Sequence, residues 1–204
     1  MMHTSPTILN MKNIADQLIH ERRSTWPMNF DPERKIGDSL IAEILETAIW
    51  APSHGLTQPW AFKVFHNDGI RDFFSRIRDI YLEITPADEL KSSKVQKYED
   101  KIGRVSHVIA VCMIRDPKKK YPVIEEIVAT ACVIENIYIC INANGIAGYL
   151  STGNICYTQQ VKDYLGLGAD DLCLGFFQLG YPKSDINRPV RKRIPAVEKT
   201  QWIG

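Results

Sequence analysis

Apolar positions along the chain recur with two periods. Ile41, Ile44, Leu45, Ala48 and Ile49 follow i, i+3, i+4, i+7, i+8, which predicts an amphipathic helix capped by Asp38 and stopped at Pro52. Ile14, Leu18 and Ile19 predict an earlier helix over Met11–Glu21, facing inward, that ends before Pro27. The same periodicity covers Ile70–Leu82, and a more polar helix follows TPAD and reaches about Lys101. Val123–Asn144 is a long apolar helix closed by Gly145, and Tyr157–Leu165 is a short one. Mostly apolar runs at Ala61–Phe65, Val105–Ile114 and Asp171–Leu179 read as strands. GIAGYLSTGN reads as irregular, residues 1–10 as a flexible tail, and the chain from Lys183 onward as extended, with Pro189 and Pro195 opposing helix. Helices and strands mix without βα alternation, so the class is α+β, with one domain over 11–204.

Composition narrows the partners. The 204 residues are 45% hydrophobic and 24% charged, with a net charge of +1. No global field draws such a chain to nucleic acid or to a membrane, and neither partner is expected. Local basic runs occur at Lys118, Lys119 and Lys120, and at Arg188 with Arg191, Lys192 and Arg193. Glu135, Asn136 and Asn142 interrupt the apolar stretch from Ile127 to Ile146, which fits a core or interface helix better than a membrane span. The five cysteines are odd in number and form no C-x-x-C pair, and the N-terminus has no signal-peptide pattern. A reduced, cytoplasmic protein is expected.

Several chemistries lack their motifs. The histidines show no H-E-x-x-H or other close ligand spacing, so no metal site is expected. Gly166-x-Gly168 lacks the third glycine of a dinucleotide fingerprint, and neither G-x-S-x-G nor a Walker sequence occurs. Three polar clusters remain. Arg22, Arg23 and Ser24 end the first helix and offer rigid donors to an oxyanion, although cations there also favour the helix dipole. APSHGLTQPW, from Ala51 to Trp60, carries more polar groups than a connector needs, although a Pro-bounded turn would explain part of it. Arg191, Lys192 and Arg193 form the basic tail, otherwise a charged surface segment.

Taken in series, these motifs carry a resemblance. RRS after the first helix, AP-x-x-x-x-x-QPW after an amphipathic helix, G-x-x-x-x-x-x-TG after a long apolar helix, then GYP and a basic tail are similar to the nitroreductase family of flavin enzymes. The match runs from about Asn13 to Trp202, and APSH resembles the smaller bacterial branch. The resemblance implies a central, mostly antiparallel sheet flanked by helices, and a homodimer whose C-terminal segments are exchanged between subunits. It implies FMN as cofactor and NADH or NADPH as reductant. By the same match, Arg22, Arg23 and Ser24 would bind the FMN phosphate and ribityl region, with Arg191 and Arg193 closing on the phosphate from the tail. Pro52, Ser53 and His54 would come from the other subunit, Gln58 would position their loop, and Thr152 and Gly153 would offer backbone to the flavin edge. No side chain need be a general acid or base, because the flavin carries the chemistry. The implied reaction passes a hydride from NAD(P)H through flavin to a nitroaromatic, quinone or similar small conjugated acceptor by a ping-pong route. A flavin-storing, sensing or delivering protein is the alternative. Similar proteins often carry a basic residue two places after the RRS serine; Trp26 stands there in this chain.

Overall fold

The computed structural model describes residues 8–186 and 191–204. Residues 1–7 of the expected tail, and Arg188 and Pro189 of the basic segment, lie outside the described residues. The order is α1 (Ile8–Glu21), α2 (Asp38–Ala48), β1 (Trp60–His66), α3 (Asp68–Ile84), α4 (Ser92–Ile102), β2 (His107–Met113), α5 (Val123–Ala143), β3 (Ala147–Ser151), α6 (Gln159–Leu165) and β4 (Leu172–Gly180). The α+β class holds. The four strands form one sheet in the order β1-β2-β4-β3, and every pairing is antiparallel.

Strand β2 explains the layering. All seven of its residues are buried, so it is covered on both faces. Val108, Ala110 and Cys112 join a core with Phe73, Phe74, Ile77 and Ile80 of α3, while Ile109 and Val111 join a second core with Ile41 and Ile44 of α2 and Val133 and Ile137 of α5. The period-two alternation of side chains along a strand sorts them between the two layers. Helix α5 ends where Gly145 takes φ +65 and Ile146 N–H donates to Ile141 O at 2.8 Å, as the sequence predicts.

Four expectations change. GIAGYLSTGN is not irregular: Ala147–Ser151 is the edge strand β3, because the open edge of β4 satisfies its backbone in full register. Gly148 is required there, since a Cβ would meet Ile141 Cδ1 and would lie 2.7 Å from Phe177 Cε1. Helix α1 starts at Ile8, so residues 8–10 are helix and not tail. Ile14 and Ile19 of α1 do not face the interior of this chain; they are 47% and 54% exposed. Asp38 does not cap α2: Gly37 holds the cap position, and the Asp38 carboxylate is turned toward His107 and His66.

Candidate cofactor site

Arg22, Arg23 and Ser24 converge where α1 meets α5 and β3. Ser24 bridges Gly148 in parallel fashion, and Thr25 N–H donates to Gly148 O at 2.9 Å, so the backbone after α1 lies along β3. Tyr138 of α5 organises the cluster. Its hydroxyl accepts from Leu150 N–H at 3.1 Å and lies 3.1 Å from Ser24 Oγ. The Arg22 guanidinium sits over the Tyr138 ring at 4.7 Å, and its Nε lies 3.4 Å from Glu135 Oε1. Arg23 donates through Nη1 to the carbonyl oxygens of His20 and Arg22, yet its Nε is buried with no hydrogen-bond partner among the described residues. A buried, unpartnered guanidinium nitrogen is costly unless something completes it.

The 51–60 loop meets the first turns of α5. Pro52, Ser53 and His54 form one wall of a cavity of about 460 Å³, with Glu125, Val128 and Cys132 opposite. His54 is held on two sides: its ring lies 3.8 Å from that of Tyr121, and Nδ1 pairs with the Glu125 carboxylate. Gly55 has φ +59, and a Cβ there would lie 2.6 Å from Tyr121 Cε2, so this turn can approach Tyr121 only as glycine. Gln58, at φ +45, donates its backbone N–H to Ser53 Oγ at 3.3 Å and ties the loop's ends.

These two groups share α5. Glu125, Val128, Ala129 and Cys132 are spaced for one helix face, and Glu135 and Tyr138 continue in steps of three. The line winds round the helix over about 20 Å at 1.5 Å per residue. Thr152 and Gly153 follow β3 directly. Gly153 has φ +143, and a Cβ there would meet nothing within 4 Å, which leaves its backbone accessible. Arg191 and Arg193 are not brought to this line: both are exposed, and the Arg193 side chain donates to the neighbouring Lys192 carbonyl at 3.2 Å.

Tyr121 and Tyr138 are residues that sequence reading missed. Trp26 stacks on Tyr149, with ring centroids 4.6 Å apart. Lys101 packs over Phe74 and Tyr98. Glu125 at the head of α5 pairs with His54, 71 positions away in the chain.

A sequence model of the nitroreductase family matches residues 19–181. This chain belongs to the nitroreductase family. The match begins just before the Arg22 cluster and ends at Tyr181, beyond β4. YfhC of Bacillus subtilis, which carries the name of an NAD(P)H nitroreductase, is 26% identical over 188 residues, covering 92% of this chain and 93% of that protein. Among solved structures, a nitroreductase-like family protein from Bacillus cereus superposes with a TM-score of 0.79 at 22% identity, covering 100% of this chain and 99% of that one. The FMN-dependent nitroreductase NfnB from Mycobacterium smegmatis, solved in complex with NADPH, gives a TM-score of 0.71 at 16% identity, covering 95% and 100%. The nitroreductase fold expected from the motifs is therefore the fold observed. No helix among the described residues is long and apolar enough to cross a membrane.

Proposed function

We propose that this nitroreductase is an FMN-dependent oxidoreductase that passes a hydride from NADH or NADPH through flavin to a nitroaromatic, quinone or similar conjugated acceptor. The observation that carries the reading is the family match over residues 19–181, anchored on the cationic cluster at its N-terminal end. The residues present suit FMN. Arg22 and Arg23 supply two guanidinium groups, and the Arg23 Nε is a donor lacking an acceptor among the described residues. A dianionic phosphate matches such donors in charge and geometry.

When bound, the flavin supplies the two-electron chemistry between nicotinamide and acceptor, in alternation. The chain supplies placement. Arg22 and Arg23, joined by Arg191 and Arg193 from the tail, would hold the phosphate, and Arg22 would exchange Glu135 for it. Ser24, fixed by Tyr138, would donate to the ribityl region. Gly153 would let backbone approach the ring edge. Pro52, Ser53 and His54 would wall a site whose other residues come from a second copy.

Exposed apolar surface supports a homodimer. Met11, Ile14 and Ile19 of α1, Ile124 and Val128 of α5, and Val197, Trp202 and Ile203 of the tail are all solvent-facing in one chain. Apolar surface of this kind marks an interface. Every described tail residue from Arg191 to Gly204 is exposed on its own chain, which fits a segment that packs on a partner.

Anaerobic addition of NADPH, then of a nitroaromatic or quinone, to FMN-loaded protein tests the reading. Bleaching of the oxidised-flavin band followed by its recovery is expected. A band indifferent to NADH and NADPH would overturn turnover and favour flavin storage, and failure to take up FMN would overturn both.

A further inference from the structure

At the opposite edge of the sheet from β3, three side chains that are distant in sequence meet. His66 ends β1 and His107 begins β2, and the antiparallel register sets them directly opposite, with rings 5.9 Å apart and 21° from parallel. Asp38, the first residue of α2, reaches both. Its Oδ1 lies 2.9 Å from His107 Nε2, and its Oδ2 lies 3.0 Å from His66 Nδ1. One ligand atom from each of the three residues lies within 4.8 Å of the other two.

We propose that Asp38, His66 and His107 form a binding site for a divalent transition metal of the zinc class. Two imidazoles and one carboxylate make a borderline donor set that suits Zn²⁺ and leaves a fourth position for water. A tetrahedral site with bonds of about 2.0–2.1 Å has ligand-to-ligand edges of about 3.3 Å. The two Asp38–His contacts, 2.9 Å from Oδ1 to His107 Nε2 and 3.0 Å from Oδ2 to His66 Nδ1, approach that value through different carboxylate oxygens; taken one ligand atom per residue, the three lie within 4.8 Å of one another. Rotation of the half-exposed His66 ring would bring the set closer to tetrahedral edges.

The surroundings add the two features that such sites need. Ser106 Oγ lies 3.0 Å from His107 Nδ1 and itself accepts Ile36 N–H at 2.8 Å, so the far nitrogen of the buried ring is oriented from behind. An entry path is open: His107 is buried, but Asp38 and His66 have half-exposed side chains on a cavity of about 230 Å³. Ile41, Leu45 and Val64 line that cavity and supply no further oxygen ligand, which disfavours Mg²⁺ and Ca²⁺. The site is independent of flavin binding, because Arg22 and Ser24 lie by β3 across the sheet.

The test uses the full chain stripped with a chelator and titrated with Zn²⁺ and, as a spectroscopic substitute, Co²⁺. One equivalent per chain is expected, with visible cobalt bands of imidazole–carboxylate ligation and a rise in Tm with Zn²⁺. Ser106→Ala should weaken Zn²⁺ binding about 10–100-fold, and His66→Ala and Asp38→Asn should weaken it further. His66→Ala lies at an exposed strand end, so it remains informative if a His107 variant fails to fold. No stoichiometric uptake would overturn the proposal and leave a hydrogen-bonded His–Asp–His group. Undiminished uptake in His66→Ala and Asp38→Asn would overturn it in favour of another locus, and equal affinity for Mg²⁺ would overturn the zinc-class assignment.

Discussion

The indole of Trp26 lies on the ring of Tyr149, 4.6 Å between centroids and 25° from parallel. One residue follows the Arg-Arg-Ser cluster by two places, and the other sits on β3, so the stack closes one side of the candidate site. In the pattern this chain resembles, a base often stands at Trp26. Here an aromatic pair replaces that charge, and the wall beside the cluster is apolar.

The stack should be measurable. Offset aromatic pairs contribute about 0.5–1.5 kcal/mol beyond area burial, and the exposure of Trp26 places this one in the lower half. A double-mutant cycle on Trp26→Ala and Tyr149→Ala, read by urea unfolding, should return that coupling. Strict additivity would mean that the rings are neighbours without interaction.

Removing phosphate donors should weaken FMN binding. Hydrogen bonds to charged groups contribute about 1.5–3 kcal/mol each, so Arg22→Ala with Arg193→Ala should lose at least about tenfold in FMN affinity. Fluorescence titration of the free flavin reads this directly. Riboflavin, lacking the phosphate, should be bound equally by the wild type and the double variant. Unchanged FMN affinity would place the phosphate elsewhere.

The helices were legible because their apolar period is local and strong, as in α2 and α3. Strand β3 was not, because AGYLS lacks β-branched residues and its glycine is demanded by Ile141 and Phe177 from other elements. The site was legible where its residues are adjacent in sequence, as in Arg22-Arg23-Ser24. Tyr138 and Tyr121 were hidden, because nothing local marks a tyrosine as the partner of Ser24 or His54. The pairing of His66 with His107 depends on strand register, which the spacing of the histidines does not encode. The inward face assigned to α1 shows the same limit from the other side: periodicity identifies an apolar stripe but not what covers it.

Gly55→Ala should disturb the loop more than the fold. An L-residue at φ +59 costs about 1–2 kcal/mol, and the added methyl must displace Tyr121. Tyr121 braces His54, so the variant should show a small loss of stability and a larger loss of FMN affinity. Calorimetry and flavin titration on one preparation separate the two. Intact FMN affinity would show that the Tyr121–His54 contact does not shape the binding wall.

Arg115 anchors the segment that carries Tyr121. It pairs with Glu126, which is 1% exposed, and donates to Tyr121 O at 2.7 Å; Glu126 also accepts Asp116 N–H at 3.0 Å. Arg115→Ala would strand a buried carboxylate, at a cost of about 3–5 kcal/mol. Arg115→Met with Glu126→Met should recover much of that loss, because the uncompensated charge disappears. Urea midpoints of the three proteins check the order, and a double variant no better than the single would show that the hydrogen bonds, not the charge, dominate.

Lys101 should tilt the pH dependence of stability. Burial first, and Lys97 second, push its amine down from 10.5 to about 8, while its Nζ rests 5.6 Å from the Phe74 ring centre and 5.7 Å from that of Tyr98. Below about pH 8 the amine is charged in both folded and unfolded chains, and the cost of burying that charge is fully present. Between about 8 and 10.5 the unfolded chain binds the extra proton, so stability rises with pH, and above 10.5 the cost is gone. The buried thiols of Cys112 and Cys173 are pushed up and act in the opposite sense above pH 9, so total stability alone does not isolate the amine. The difference between wild type and Lys101→Met does, because the other groups are common to both. Lys101→Met should be the more stable protein at neutral pH, and its advantage should shrink steadily from about pH 8 upward. An advantage independent of pH would mean that the amine keeps its ordinary affinity for the proton in the folded chain.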